Sequence, residues 1–322
     1  MPAIWVAAFS MTSPAFEAFS RATSGTGASV VETPSRIAVF GGALSTPSEV
    51  AAGGAPKSRR DAFVRWIASN HSAISRLLLL PESYDDWNDF STYSDLLRFE
   101  EDLGYVTSVV VIFLEAPGSI AELGAFSQIA TLNQQLVLVV LDTHHPKKSF
   151  ISLGPLRQLE GEGRSSVCVV PDRAIEQFEE DVELVLAAVE ERLSAVRSRR
   201  TLDPLDRKHQ IILILDVISL FEVATFGEIK LALTHFNIQV QDPRVKQMLF
   251  TLAKAGYIGS RRYGGIDYYF PVERGKTWVD HSGAMTSNPF NRLRVHAKIA
   301  TSRGKSTPAG KAHALVFSAG AS

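Results

Sequence analysis

Residues Val109 to Gln128 read VVVIFLEAPGSIAELGAFSQ. Val109 to Leu114 is apolar throughout and of strand length. It stops at Glu115-Ala116-Pro117-Gly118-Ser119, and a helical pattern begins at Ser119 or just after it. Ligands in a doubly wound sheet sit at the carboxyl ends of strands, where the following helix offers N–H groups and a positive dipole. Gly118 allows close approach to the backbone, Ser119 can cap, and Glu122 lies about one turn into the helix, so a carboxylate stands beside an anion-binding loop. The same Ser119-x-x-Glu122 spacing also fits a capping box in which Glu122 returns to the Ser119 N–H. The spacing alone leaves both readings open.

The flanking sequence repeats this alternation. Strand-like runs occur at Arg36–Phe40, Leu77–Leu80, Ser108–Leu114, Leu136–Leu141 and Val167–Val170, with helical patterns at about 59–69, 93–103, 119–133 and 173–197. Strands that are apolar throughout and alternate with helices predict a doubly wound α/β fold with a five-stranded parallel sheet over residues 36–198. Residues 1–35, rich in Ala, Ser, Thr and Gly, read as an N-terminal extension outside the core. After a charged hinge at 197–207, helical patterns at Lys208–Leu220, Phe226–His235 (Thr225 as N-cap) and from Asp242 to about Ala255 precede a hairpin. Its strands are Tyr257–Arg262 and Ile266–Pro271, turning at Tyr263-Gly264-Gly265. Three helices and a two-stranded wing predict a smaller winged-helix domain over 199–280, followed by a basic tail over 281–322.

Composition narrows the function classes. Hydrophobic residues at 45% and charged residues at 21% exclude a wholly disordered chain, collagen and coiled coil. Apolar runs such as Val109–Leu114 are far shorter than the roughly 20 residues of a membrane helix, and the apolar start has no basic n-region. The single cysteine, Cys168, cannot form an internal disulfide, so a soluble cytoplasmic protein is expected, with no membrane partner. Net charge is −1, yet six basic residues and no acidic one follow Asp280, so the first 280 residues carry −7. Such a tail suits an anionic partner or a solvated end.

The stretch from Gly118 to Gly124 resembles the helix-start motif of the nucleoside 2-deoxyribosyltransferase fold, in which the Glu attacks the anomeric carbon of a nucleoside. More specifically, Ser58–Ile67 (SRRDAFVRWI), Leu80–Trp87 (LPESYDDW), Tyr93–Gly104 (YSDLLRFEEDLG) and Ile112–Gln128 resemble the accessory effectors of bacterial retrons, which join such a domain to a C-terminal winged helix. Ala116 departs from the Ser commonly found there, which touches a polar contact and not the nucleophile. The resemblance implies an anti-phage defence effector with Glu122 as nucleophile and NAD or a related nucleotide as substrate, not cofactor. It further implies a partner, the retron reverse transcriptase with its RNA-linked single-stranded DNA, and allows for a homo-oligomer or a higher assembly with that complex. Asp95, 27 residues before Glu122, then becomes a candidate for holding sugar hydroxyls or moving a proton, and Glu115 at the strand end is the second candidate. Capping by Asp95 and plain solvation of Glu115 are the alternatives, and Arg98 could pair either.

Several positions carry weaker signals. Phe40-Gly41-Gly42 ends the first strand where a base or phosphate could approach bare backbone, and Glu82 faces the same cleft. Neither a GxGxxG fingerprint nor a P-loop occurs, so a bound redox dinucleotide is not expected. His144-His145 lacks a third ligand at suitable spacing, so no metal is expected and a solvated loop is preferred. Cys168 reads as a buried strand residue. Arg244, Lys246 and Lys254 on the third helix of the second domain, with Arg261, Arg262 and Tyr263 on its wing, are the candidate nucleic-acid or partner contacts.

The chemistry expected is cleavage of an N-glycosidic bond through an oxocarbenium-like state, with Glu122 forming a ribosyl ester or stabilising the cation electrostatically and water completing hydrolysis. Nicotinamide in NAD leaves without a proton, whereas a purine needs one, and with no evident acid the residues tilt towards NAD. Glu115 is the residue that could supply that acid. The competing classes are a nucleotide-sensing, DNA-binding regulator without turnover and a deoxyribosyltransferase that exchanges bases.

Overall fold

The computed structural model describes residues 13–83, 92–145, 152–161, 166–195, 199–284 and 289–317. The chain divides into two compact units, one of residues 34–197 and the other joining residues up to 33 with those from 198 onward.

The first unit is built on five parallel strands: β1 (Arg36–Phe40), β2 (Leu78–Leu79), β3 (Thr107–Phe113), β4 (Leu136–Leu141) and β5 (Val167–Val170), in the order β2-β1-β3-β4-β5. Helices α1 (Arg59–Asn70), α2 (Leu96–Tyr105), α3 (Pro117–Ser127) and α4 (Val182–Ala195) accompany them. All seven residues of β3 are buried, which is why the run contains no polar alternation. Val109, Val111 and Phe113 join one core cluster with Phe63 and Ile67 of α1 and Val182, Val185 and Val189 of α4. Residues of the opposite parity, Ala38, Phe40, Val110 and Ile112, are also buried, and the Phe40 ring lies 5.3 Å from that of Phe126 on α3. Sequential order reverses between β1 and β3, so a crevice opens at their carboxyl ends, the place where open α/β sheets bind ligands.

Three local expectations shift. The helix after β3 starts at Pro117 rather than Ser119, because proline at the first helical position gives up an N–H that would have no intrahelical partner. The long helix expected from Arg173 is a 3₁₀ segment, Ile175–Asp181, followed by α4. Strand β2 keeps only two residues, as an edge strand paired on one side.

The second unit holds α5 (Arg207–Phe221), β6 (Ala224–Thr225), α6 (Phe226–His235), α7 (Asp242–Lys254), β7 (Ile258–Tyr263) and β8 (Ile266–Pro271), and the strands pair antiparallel in the order β6-β8-β7. Thr225 caps α6 in a reciprocal box with Glu228. Gly264 and Gly265 turn the hairpin with φ of +59° and +80°, the pair of positive angles a tight two-residue hairpin needs. The segment expected to lie outside the core does not: Phe19, in the helix Pro14–Ser20, is fully buried with its ring 5.6 Å from Phe221, and Ser29–Val30 pairs with Arg200–Thr201 and Val279–Asp280. The tail also folds, as α8 (Arg292–Ser302) and α9 (Pro308–Phe317). Arg292 donates to the fully buried Asp216 at 2.8 Å.

Candidate active site

The crevice between β1 and β3 is held together by one carboxylate. Glu115 follows β3, and its two oxygens accept the backbone N–H groups of Gly42 (3.2 Å), Arg60 (3.0 Å) and Arg59 (2.9 Å). It thereby satisfies the first N–H donors of α1, whose N-cap Ser58 accepts from Asp61. The expected acid candidate is thus a bracket that joins the ends of β1, β3 and α1.

The glycines at the end of β1 are required by packing. A Cβ on Gly41 would lie 2.8 Å from Cβ of Phe113, and one on Gly42 would lie 2.6 Å from Cβ of Ser58. Phe40, expected at the substrate, is 1% exposed and belongs to the core against Phe126. Arg60 is equally buried, and its guanidinium donates to the Val39 carbonyl at 2.6 Å, to the Gly42 carbonyl at 3.3 Å and to both oxygens of Glu82 at 2.7 Å. Burial opposes ionisation of Glu82, but this two-pronged guanidinium contact outweighs it and holds the carboxyl below its ordinary range. Residues 84–87 of the LPESYDDW stretch lie outside the described residues.

Glu122 stands on α3 above this arrangement. Ser119, at the third helical position, is fully buried; its hydroxyl donates to the Ala116 carbonyl at 2.7 Å and accepts the Ala116 N–H at 3.2 Å. Ser119 closes its own turn, and Glu122 does not complete a capping box: its Oε2 is buried with no hydrogen-bond partner. Burial raises the Glu122 carboxyl to about 7; Arg60 pulls it down and Glu82 pushes it up. Among the described residues, apart from its chain neighbours and the helix's own backbone, the atom within 4 Å of the place where a side chain on Gly118 would begin is Glu122 Oε1, at 3.9 Å, so the absent side chain leaves room beside the carboxylate.

Two residues that the sequence reading passed over complete the group. Arg60 is one, and Glu100 on α2 is the other. Asp95 caps α2, accepting the Arg98 N–H at 2.9 Å, the Ser94 hydroxyl at 2.8 Å and an ion pair from Arg98 at 3.4 Å; the N–H and hydroxyl bonds keep its carboxyl low. From that cap the helix turns Leu97 outward and buries Phe99, Glu100 and Leu103. Glu100 is 8% exposed, and burial, then Glu122, then Glu82 raise its carboxyl to about 8 against a smaller opposing pull from Arg60. The signal was a charge on the apolar side of an amphipathic helix, masked by its neighbour Glu101.

Elsewhere, the expected nucleic-acid contacts are partly engaged. Arg244 donates to Gln247 at 3.0 Å, and Lys246 sits 6.0 Å over the Phe226 ring. Arg261 donates to the Leu315 carbonyl at 2.7 Å, Arg262 pairs with Asp267 at 3.8 Å, and Tyr263, Ala309 and Phe317 pack against the cluster of Val223, Tyr268 and Ala312, so α9 braces the hairpin. His145 pairs with Glu160 at 2.7 Å, and among the described residues no group of three His, Cys, Asp or Glu is placed to hold a metal. Cys168 is buried in β5, which pushes its thiol up to about 11. No helix among the described residues is long and apolar enough to cross a membrane.

Residues 56–260, well over half of the chain, match the profile of the family described as STM3845 retron effector protein. Two Escherichia coli proteins are similar over shorter stretches. The retron Ec86 protein, provisionally named a ribosyltransferase/DNA-binding protein, is 35% identical over 91 residues, which is 28% of this chain and 30% of that protein. The retron Ec73 protein, with the same provisional name, is 29% identical over 117 residues, 35% of this chain and 36% of its own. The chain thus covers about a third of the length of either curated relative.

Proposed function

The chain belongs to the STM3845 retron effector family, and from that premise we propose that its first unit is an N-glycosidase that cleaves the base–sugar bond of NAD or a related nucleotide with Glu122 as nucleophile. The observation that carries this reading is the Glu122 carboxylate. It is half-buried, has one buried oxygen without a hydrogen-bond partner, and lies beside the bare backbone of Gly118 at the carboxyl end of β3. A desolvated carboxylate oxygen without a hydrogen-bond partner costs stability, and it is the kind of oxygen that is free to attack an anomeric carbon. Glu122 forms the C1′–O bond as the base departs with the electron pair of the C1′–N bond. Water then displaces Glu122 from C1′, releasing the sugar product. Arg60, on the same side, favours the ionised form that attack needs. The provisional names of the relatives favour a second reading, transfer of the sugar to an acceptor base in place of water.

The second unit, read as a winged helix, supplies the partner surface. Lys246 and Lys254 on α7 and Arg262 on the hairpin would meet phosphates, and the retron reverse transcriptase with its RNA-linked DNA is the expected partner and restraint.

The test compares wild type with Glu122→Gln, each alone and co-expressed with its retron complex, on NAD and on a panel of nucleosides and nucleotides. Wild type releases nicotinamide or another base and the variant loses at least about 10³-fold, while its melting temperature and partner binding stay unchanged. Faster turnover on adding a base identifies the transferase. If neither protein cleaves anything in any state, a DNA-binding regulator is the better account.

A further inference from the structure

We propose that the second unit carries a binding site for a small phosphate monoester, in the cavity that α8 and α9 close against the end of α5. The site is separate from the crevice of Glu122 and does not depend on the reading of that residue.

The cavity has a volume of about 270 Å³, near the roughly 300 Å³ at which small-molecule sites begin. Its walls come from the end of α5, from the last turns of α8 and the loop after it, and from α9. Phe221 and Ile299, both almost fully buried, make part of the wall apolar. The polar part centres on Glu222, the residue that follows α5, whose φ of +58° is a left-handed conformation that side chains rarely adopt. Its Oε1 accepts from Nε of Arg274 at 3.1 Å and from Nη2 of the same guanidinium. Its Oε2 accepts from Nε2 of His313 on α9 at 2.9 Å and lies 3.3 Å from Nε2 of His296 on α8. Backbone strain persists where the surroundings hold it, and these three side chains do so here.

Both oxygens of Glu222 are thus engaged, and Arg274 already balances its charge, so the cluster does not call for a cation. The groups with capacity left are donors. Lys305 is exposed, lines the cavity and has no ion pair or hydrogen bond among the described residues. Arg303 also lines it; its side chain is 7% exposed and donates through Nη2 to both oxygens of Glu228 at 2.9 Å, while Nε and Nη1 are buried without a hydrogen-bond partner among the described residues. His296 and His313, each more than a third exposed, face Glu222 through Nε2 and become donors at Nδ1 as well when protonated. A cavity whose free polar groups are donors and cations takes an anion, and phosphate offers several acceptor oxygens to separate donors. The volume exceeds what a bare phosphate fills, and the apolar wall suits the carbon skeleton of an ester. Apart from Phe221 and Glu222, the residues that form the site lie beyond residue 260, where the match to the retron effector family ends.

The charged groups around the two imidazoles are Glu222 with Arg274, Arg303 with Glu228, and Lys305. Burial opposes ionisation of Glu222, but Arg274 and His313 outweigh it and hold its carboxyl down at about 2, so it stays ionised between pH 6 and 8. Imidazole ordinarily changes charge near pH 6.5, so the donor capacity of the site grows as pH falls through that range. A phosphate monoester gains its own proton near pH 6, and the informative quantity is therefore the ratio of wild-type affinity to that of a histidine variant.

Titration calorimetry of the full-length chain tests the site, with ribose 5-phosphate as probe and inorganic phosphate and ribose as controls. The probe carries no base, so the first unit has no base–sugar bond to cleave. Wild type is expected to bind ribose 5-phosphate at least about tenfold more tightly than inorganic phosphate and not to bind ribose. Lys305→Ala and His313→Gln each weaken the ester at least about tenfold, the loss of one charge-assisted contact, whereas Glu122→Gln leaves a site of unchanged affinity. The ratio of wild-type to His313→Gln affinity rises at least about threefold from pH 8 to pH 6. Lys305 is exposed, so its variant tests the site even where His313→Gln loosens α9, which melting temperatures reveal. No binding of the ester at millimolar concentration overturns the proposal, and so does an affinity unchanged in Lys305→Ala, which places the ester elsewhere. Equal affinity for inorganic phosphate or a ratio flat with pH overturns it as well.

Discussion

Asp95 and Glu100 stand five positions apart on one helix and do opposite things, and the difference is burial. Asp95 spends its oxygens on the Arg98 N–H in the first turn of α2, on the Ser94 hydroxyl and on the Arg98 guanidinium, so Asp95→Ala is expected to cost about 1 kcal/mol in denaturant unfolding through the lost cap and to leave base release within about twofold. A large drop in turnover at unchanged stability would return Asp95 to the chemistry. Glu100 and Glu122 instead carry carboxyls raised to about 8 and 7. A carboxyl whose folded value is raised binds its proton more tightly in the folded state than in the unfolded one. Its contribution therefore falls as pH rises from about 4.5 through those values. Lys208, buried and lowered to about 7, contributes in the opposite sense at higher pH, so the informative quantity is a difference. The melting temperature of Glu100→Gln relative to wild type is expected to rise between pH 5 and 9; a flat difference would mean that Glu100 is not held protonated.

At the scale of elements, the site is a junction of strand ends and helix starts. The Glu115 bracket and the two glycines allow β1, β3 and α1 to meet more closely than side chains permit. Gly42→Ala brings a methyl to 2.6 Å from Cβ of Ser58 and is expected to destabilise the first unit by about 1–3 kcal/mol and to reduce base release by shifting Arg60. Full activity with unchanged unfolding would show that α1 can move aside without consequence. The helix α3 was readable in sequence from its proline, its glycine and its spacing, whereas its start at Pro117 put Ser119 into the turn and moved Glu122 deeper than a single turn.

At the scale of the molecule, the segments at the two ends of the chain are part of the second unit. Arg303 is 7% exposed on its side chain and donates to both oxygens of Glu228, the residue that also completes the cap of α6. Arg303→Met removes one partner of a buried pair and is expected to cost about 3–5 kcal/mol, seen as a lowered thermal transition of the second unit while the first unit's transition stays in place. An unchanged thermogram would mean that the tail is dispensable for that unit's fold. The +6 charge beyond Asp280 is therefore divided: Arg292 is consumed in a pair with the buried Asp216 and Arg303 in a buried pair with Glu228, which leaves fewer cations for an anionic partner than the sequence suggested.

The sequence by itself determined the parallel five-stranded sheet and the position of Glu122 after a strand end, because strands buried on both faces must be apolar throughout and a helix start needs proline, glycine and a cap. It also carried the resemblance to retron effectors. Only the tertiary structure decided which carboxylates share a site. Arg60 comes to Glu82 across the end of β1. Glu115 finds its N–H donors in segments more than fifty residues away. Local spacing records which face of a helix is buried, but a carboxyl's state depends on burial and on charges brought close by the chain's return, and no local pattern encodes that distance.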